Sequence, residues 1–240
     1  VVVIAPPPAI TFPVALATPA LCNGALNGTI TVNAAGGAGG FTYLLQPGGI
    51  LNNTGLFTGL GVGIYTITAI DANNCSNTTN VTILQPTSLS WNTVTTINVT
   101  CNGANNGSIN ANAIGGINPI NYTLNPLGIN NATGIFTNLP GNIYTLTATD
   151  ANGCTISSIV NIIDPGALTI TSVNIVPPNC VPGNNGVVTV NISGGTPVYN
   201  YNIGAGNQLS NTFTNLGQGT YTIVVTDANG CSVTSVINVI

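Results

Sequence analysis

Six cysteines and four aspartates hold the reactive chemistry of this chain, and nearly all of them fall into one repeated pattern. The phrase Asp-Ala-Asn-x-Cys occurs at Asp71–Cys75, Asp150–Cys154 and Asp227–Cys231, and an opening cysteine, Cys22, Cys101 or Cys180, precedes each. The opening cysteines recur every 79 residues, while the closing ones stand 79 and then 77 apart. Three tandem copies of one domain follow from this period. Two thiols per copy, 53 residues apart in the first two copies and 51 in the third, predict one disulfide within each copy: Cys22–Cys75, Cys101–Cys154 and Cys180–Cys231. A cross-copy alternative such as Cys75 with Cys101 stays open on spacing alone. A bridge closing a loop of this size contributes on the order of 4 kcal/mol in the chain-entropy picture, and it implies an oxidising compartment. Zinc is the other chemistry of regular cysteines, but the chain has no CxxC pair and no histidine.

Other chemistries fare worse. A Ser or Thr nucleophile needs a base, and the chain contains no His, Lys or Glu to serve as one. We therefore expect no catalytic residues, no cofactor and no metal site. Calcium favours six to eight oxygens with several carboxylates, whereas each copy offers one Asp in its turn. Asp71, Asp150 and Asp227 are expected to cap backbone N–H groups instead, so a chelator should leave the melting temperature unchanged. The lone Trp91 stands where the other copies have Phe12 and Ile170, which predicts packing and not a sugar contact. Outward rows of threonine, Thr66/Thr68 and Thr145/Thr147, invite comparison with ice-binding faces, but threonine is also a good strand residue. Glycosylation sequons begin at Asn98, Asn121, Asn131 and Asn191, as chance provides in a chain rich in Asn and Thr.

Composition removes further classes. Charged residues make up 2% of the 240 residues, all of them Asp. Nucleic acids and anionic membranes are gripped largely by Lys and Arg, so neither is an expected partner. Apolar runs break on Pro, Gly, Asn or Thr well short of the roughly 20 residues a spanning helix needs, and no membrane insertion is expected. Solubility must come from amides and hydroxyls, Asn alone being about one residue in six. Absence of Lys and Arg also leaves trypsin-like proteases no site, which suits life outside a cell.

The elements that must position these residues are strands. Thr29–Ala34 alternates, with Ile30, Val32 and Ala34 on one face, and 108–113 and 187–192 repeat the pattern. Glycine pairs 36–37, 115–116 and 194–195 mark tight turns. The block Phe-Thr-x-Leu-x-x-x-x-Tyr-Thr, at 57–66, 136–145 and 213–222, runs into the Asp-Ala-Asn turn. Its tyrosines, Tyr65, Tyr144 and Tyr221, open a strand shortly after a turn, as does the tyrosine corner of immunoglobulin-type sandwiches. A closing strand carries Val81 and Ile83, Val160 and Ile162, or Ile237 and Val239 inward, and Pro86 or Pro165 then leads into the next first strand, around 89–94 or 168–173. With no flexible linker and a fixed φ at each joint, neighbouring copies should be held stiffly. The expected fold is all-β: tandem immunoglobulin-like β-sandwich repeats, one disulfide each, forming an elongated rod. Residues 1–6 match the closing strand of a preceding repeat, followed by repeats at 7–85, 86–164 and 165–240. Val1–Ile4 then belongs to a longer array, or else is a donor strand completing a neighbouring subunit.

The pattern Cys-x-Gly-x-x-x-Gly-x-Ile, Gly-Gly, Tyr, Leu-x-x-Gly-x-Tyr-Thr and Asp-Ala-Asn-Gly-Cys resembles the SprB repeat, named for a giant gliding-motility adhesin of Bacteroidetes. The third copy, Gly217–Cys231, is nearest over the most specific block. Copy one departs at Asn74, where Gly is usual, and copy three at Val181-Pro182 after its first cysteine. This resemblance implies an extracellular protein of the bacterial cell surface, exported by the type IX system, whose repeats form a stalk or filament. Its expected partners are neighbouring repeats, with self-association into a fibre, and glycans or surfaces. A glycan- or surface-binding module and a subunit of a strand-exchange filament are the competing functions.

Overall fold

The computed structural model describes residues 6–180 and 183–240, which form strands, turns and loops and no helix. The expected closing strand at Val1–Ile4 and the Val181-Pro182 departure lie outside those residues. In the first copy seven strands follow one another: β1 (Thr11–Thr18), β2 (Gly28–Ala35), β3 (Thr42–Gln46), β4 (Ile50–Asn52), β5 (Leu56–Leu60), β6 (Gly63–Ile70) and β7 (Ser76–Ile83). They make two sheets, in the orders β1-β2-β5 and β4-β3-β6-β7. The second copy repeats this with β8 (Ser90–Ile97), β9 (Gly107–Ile114), β10 (Asn121–Asn125), β11 (Ile129–Asn131), β12 (Ile135–Leu139), β13 (Asn142–Thr149) and β14 (Thr155–Ile162), in the orders β12-β9-β8 and β11-β10-β13-β14. The third has β15 (Thr169–Val176), β16 (Gly186–Ser193), β17 (Asn200–Asn202), β18 (Thr212–Leu216), β19 (Gly219–Thr226) and β20 (Ser232–Val239), in the orders β15-β16-β18 and β17-β19-β20. This is the immunoglobulin-type sandwich in tandem, with the fourth strand attached to the sheet of the third, sixth and seventh.

Among the described residues the third copy has no counterpart of β4 and β11. Its chain is two residues shorter between Tyr201 and Phe213, and a single bridge from Tyr201 to Gln208 stands in place of the three-residue strand.

The chain divides into two compact units. One gathers the residues up to Asn92 with Asn112–Thr123 and Thr147–Ser157, so it contains the first copy and the parts of the second nearest in sequence to its two turns. The other comprises Thr93–Ala111, Leu124–Leu146 and Ser158–Ile240.

Within each unit, alternation selects the core. Ile30, Val32 and Ala34 of β2 pack with Tyr43 and Leu45 of β3, Ile67 and Ala69 of β6, and Val81 and Ile83 of β7. Val188 and Val190, Phe213, Ile223 and Val225, and Val239 make the corresponding core of the third copy. Each such aliphatic contributes about 1.5 to 3 kcal/mol of transfer free energy. The first strands of copies two and three start at Ser90 and Thr169 and run to Ile97 and Val176, slightly later than the alternation around Leu89 and Leu168 implies. Pro13 falls in the bulge between Thr11 and Val14 where β1 slips against β2, a place that a residue without an N–H can occupy. Position x of Phe-Thr-x-Leu is left-handed in every copy, with φ of 72° at Gly59, 57° at Asn138 and 61° at Asn215. Glycine and asparagine are the residues that accept this conformation most readily.

Candidate functional site at the joints between copies

Each closing phrase is the connection of a hairpin. β6 and β7 pair in register from Gly63–Ile83 to Ile70–Ser76, which leaves 71–75 as the turn, and β19 and β20 likewise leave 227–231. The aspartate shapes it from within. Asp71 Oδ1 accepts the N–H groups of Asn73 and Cys75, both at 2.9 Å, and Oδ2 accepts that of Ala38 at 2.8 Å. Asp150 does the same with Asn152, Cys154 and Ile117 at 2.9, 2.8 and 2.9 Å, and Asp227 with Asn229, Cys231 and Thr196 at 3.0, 2.9 and 2.8 Å. All three are buried. For Asp71 the Ala38 N–H leads in holding the carboxyl below its ordinary range. Burial pushes the Asp150 carboxyl up, but the N–H groups of Ile117, Cys154 and Asn152 together outweigh it, and the net shift is downward. The glycine pair follows from this packing: a Cβ on Gly37 or Gly116 would stand 2.6 Å from the aspartate Oδ2. Asn74 takes the left-handed φ of 64° that Gly153 and Gly230 supply in the other turns.

The tyrosines brace the strand that leads into this turn. Their hydroxyls donate to the carbonyl four residues back: Tyr65 to Gly61 at 3.1 Å, Tyr144 to Pro140 at 2.8 Å and Tyr221 to Gly217 at 3.0 Å. Burial raises the pKa of the Tyr144 phenol.

The opening cysteines sit on the loop that follows the first strand. Asparagine fixes it: the N–H of the residue before each cysteine donates to an Asn Oδ1 six residues on, Leu21 to Asn27 at 2.9 Å, Thr100 to Asn106 at 3.1 Å and Asn179 to Asn185 at 3.0 Å. The same loop grips the peptide leaving its own copy. Asn23 Nδ2 donates to the Pro86 carbonyl at 3.1 Å and Gly24 N–H to Gln85 Oε1 at 2.8 Å. In the second copy Asn102 donates to the Pro165 carbonyl at 2.9 Å, and Gly103 N–H to Asp164 Oδ1 at 3.2 Å.

The disulfides correct the expectation of one bridge within each copy. Cys22 is bonded to Cys154 and Cys101 to Cys231, with Cα separations of 5.8 and 5.7 Å, while Cys75 and Cys180 are free and exposed. The pairing therefore skips forward by one copy, and it is not the Cys75–Cys101 alternative either. The reason lies in β2. Its first residue, Gly28, adjoins the opening loop, and its last leads to the glycine turn packed on Asp71. Eight residues of strand span about 26 Å, so the two cysteines of one copy lie at opposite ends of their sandwich, far beyond the roughly 4.4 to 6.8 Å between Cα atoms that a disulfide tolerates. In both bridges the opening cysteine meets the closing turn of the following copy instead. Asparagine, which the sequence reading did not single out, completes the clasp: Asn152 Nδ2 donates to the Leu21 carbonyl at 2.7 Å and Asn229 Nδ2 to the Thr100 carbonyl at 2.9 Å. Its presence in all three closing phrases was the available signal.

The remaining candidates go elsewhere. Trp91 stacks on Tyr122 with centroids 6.2 Å apart, and its counterparts Phe12 and Ile170 pack against the cores of their own copies. Thr66 donates to Asn80 across the strands at 2.8 Å, and Thr147 and Ser157 share a hydrogen bond of 3.3 Å. Asn98 accepts the Ile163 N–H, and Asn131 holds the turn at Thr133 and Gly134. Among the described residues no helix is long and apolar enough to cross a membrane.

Three segments of the chain match the SprB repeat, residues 15–49, 93–128 and 172–208. They cover the opening half of each copy, from the first strand past the glycine turn, and the Asp-Ala-Asn-x-Cys phrase lies beyond each. No curated protein matches the chain. Among solved structures, the I-band fragment I67–I69 of titin is similar at 15% identity over 98% of both chains, with a TM-score of 0.49. The N-terminal eight Ig domains of Down Syndrome Cell Adhesion Molecule align at 11% identity over 90% of this chain and 35% of that one, TM-score 0.41. Domains 1–6 of the surface layer protein SbsC align at 11% identity over 98% of this chain and 40% of that one, TM-score 0.32.

Proposed function

We propose that this chain, an array of SprB repeats, is a structural segment of a large repetitive extracellular protein of the bacterial cell surface, serving as the stalk or filament of an adhesin used in attachment or gliding. Repeats 7–85, 86–164 and 165–240 give the array its length, and attachment itself belongs to other parts of the parent protein. One observation carries this reading: every disulfide joins a copy to its neighbour, so covalent reinforcement is placed at the joints, where an array under tension needs it. Oxidised cysteines accord with an extracellular location, as does the absence of trypsin sites. A nearly uncharged surface with exposed Leu16, Ile159 and Ile240 offers little electrostatic resistance to side-by-side association into a fibre.

Single-molecule stretching tests the reading. With both clasps closed, the shortest covalent route from Cys22 to Cys231 crosses to Cys154, runs back along the chain to Cys101 and crosses again, so only 53 residues can be drawn out. Full unfolding then spans at most about 190 Å between those points, against about 730 Å after reduction. An oxidised chain that yields the long extension would sink the stalk reading.

A further inference from the structure

Asparagine followed by glycine is the pair most prone to cyclise on itself, because glycine carries no Cβ to hinder attack by its nitrogen on the neighbouring amide. The chain holds seven such pairs, and two of them occupy matching opening loops. Asn23-Gly24 and Asn102-Gly103 are both exposed and share one turn geometry. Ala25 N–H closes the first turn on the Cys22 carbonyl at 3.1 Å and Ala104 N–H the second on the Cys101 carbonyl at 2.9 Å, with left-handed φ of 76° and 72° at the glycines. What differs is the group facing them. Gly24 N–H meets Oε1 of Gln85, a neutral amide, and Asn23 Nδ2 donates to the Pro86 carbonyl. Gly103 N–H meets both carboxylate oxygens of Asp164, at 3.2 and 3.3 Å. Asn102 Nδ2 reaches Oδ1 of the same carboxylate at 3.4 Å, besides the Pro165 carbonyl at 2.9 Å. One carboxylate thus touches both the nitrogen that would attack and the nitrogen that would leave. Asp150, beside Asn152-Gly153, is placed differently: its oxygens hold the N–H groups of Ile117, Asn152 and Cys154, and Asn152 Nδ2 is directed to the Leu21 carbonyl.

We propose that Asn102-Gly103 with Asp164 is a self-modification site, at which the carboxylate acts first as general base and then as general acid in a single-turnover deamidation. Asp164 takes the N–H proton of Gly103 as that nitrogen bonds to Asn102 Cγ. It returns the proton to Nδ2, the Cγ–Nδ2 bond breaks, and ammonia departs. Water then opens the resulting five-membered succinimide at either carbonyl, leaving an aspartyl or isoaspartyl residue in place of Asn102. The sum is one water consumed and one ammonia released, with no change of oxidation state. The product sets a second negative charge against Asp164 and loses the donor to the Pro165 carbonyl, so the reaction loosens the opening loop's grip on the peptide leaving its copy. This goes beyond the stalk reading and does not rest on it.

The test incubates the full chain and follows each Asn-Gly pair by chymotryptic mapping and mass spectrometry, with isoaspartate counted by an isoaspartyl methyltransferase. Asn102 should lose its amide roughly 10²-fold faster than Asn23. From about pH 8 to about pH 6, where carboxylates stay ionised, loss at Asn23 should fall with hydroxide while loss at Asn102 hardly changes. Asp164→Asn, which keeps an oxygen acceptor in the same place, should slow Asn102 to the Asn23 rate, and Gln85→Glu should accelerate Asn23. Equal rates at the two pairs in the wild-type chain, or a hydroxide dependence common to both, would overturn the proposal. So would faster loss at Asn102 in Asp164→Asn, since the carboxylate would then be restraining the Gly103 N–H and not activating it. Stretching experiments are untouched by any of these outcomes, so the stalk reading stands or fails separately.

Discussion

The joint between copies one and two and the joint between copies two and three make the same contacts with different side chains. Both have a cysteine bridge, an asparagine donating to the carbonyl ahead of the opening cysteine, and a side chain accepting the glycine N–H of the opening loop. That acceptor is Gln85 in the first joint and Asp164 in the second, the carbonyl belongs to Leu21 or Thr100, and Asn229 alone adds a bond to the Thr196 hydroxyl at 3.0 Å. What stays fixed is the disulfide, the aspartate beneath it and the asparagine beside it; the rest of each joint tolerates exchange.

That comparison can be broken most directly at the sulfurs. The bridges close 132 and 130 residues, and the chain-entropy relation makes each worth about 5 kcal/mol. Cys22→Ser and Cys101→Ser should therefore lower the melting temperature by a similar amount, roughly 10 to 20 °C. Unequal losses in calorimetry would mean that the exchangeable contacts carry more of a joint than the bridge does. Next in size is Asp150→Asn, which puts an amide where three backbone N–H groups need an acceptor and should cost about 1 to 3 kcal/mol in a denaturant titration. Acid probes the same carboxylates without mutation. The folded pKa values of Asp71 and Asp150 are depressed, so their contribution is present in full above the unfolded value near 4 and drains away as pH falls through the lower folded values. The melting temperature should be flat from pH 7 to about 5 and fall below about 4; a rise on acidification would contradict the capping geometry. The smallest effect sharpens the contrast between joints. Asn152→Ala should cost about 1 kcal/mol and Asn229→Ala somewhat more, because of the added Thr196 bond, and the reverse order would show that this bond contributes nothing.

Much of the sandwich was legible because alternation is a local signal. Ile30, Val32 and Ala34 announce a half-buried strand whatever lies around them, and Tyr144 and Leu146 do the same before their turn. The aspartates were legible in part: the N–H groups two and four residues on are local partners, whereas the third, from Ala38, Ile117 or Thr196, comes from the glycine turn 31 to 33 residues away and depends on the fold. Disulfide partners were not legible in the period. Moving each partner forward by one copy leaves every opening and closing cysteine at the same repeat position, so spacing cannot separate Cys22–Cys75 from Cys22–Cys154. Only the length of β2, which puts the two thiols of a copy at opposite ends, decides between them. The missing fourth strand of copy three was half visible: the deletion before Phe213 could be located, but whether a shorter loop still pairs depends on neighbours such as Gln208, whose side chain reaches Ser210 and Thr212.

The staggered bridges also alter what a single backbone cut can do. Cys22–Cys154 spans the first part of the chain, Cys101–Cys231 spans the last, and the two loops overlap from 101 to 154. Any one peptide bond between Cys22 and Cys231 can be hydrolysed and the pieces remain covalently joined. Bridges confined to single copies would leave the stretches 75–101 and 154–180 as points where one nick severs the array. Between Cys22 and Cys231, the overlap lets one protease event notch the chain but not shorten it.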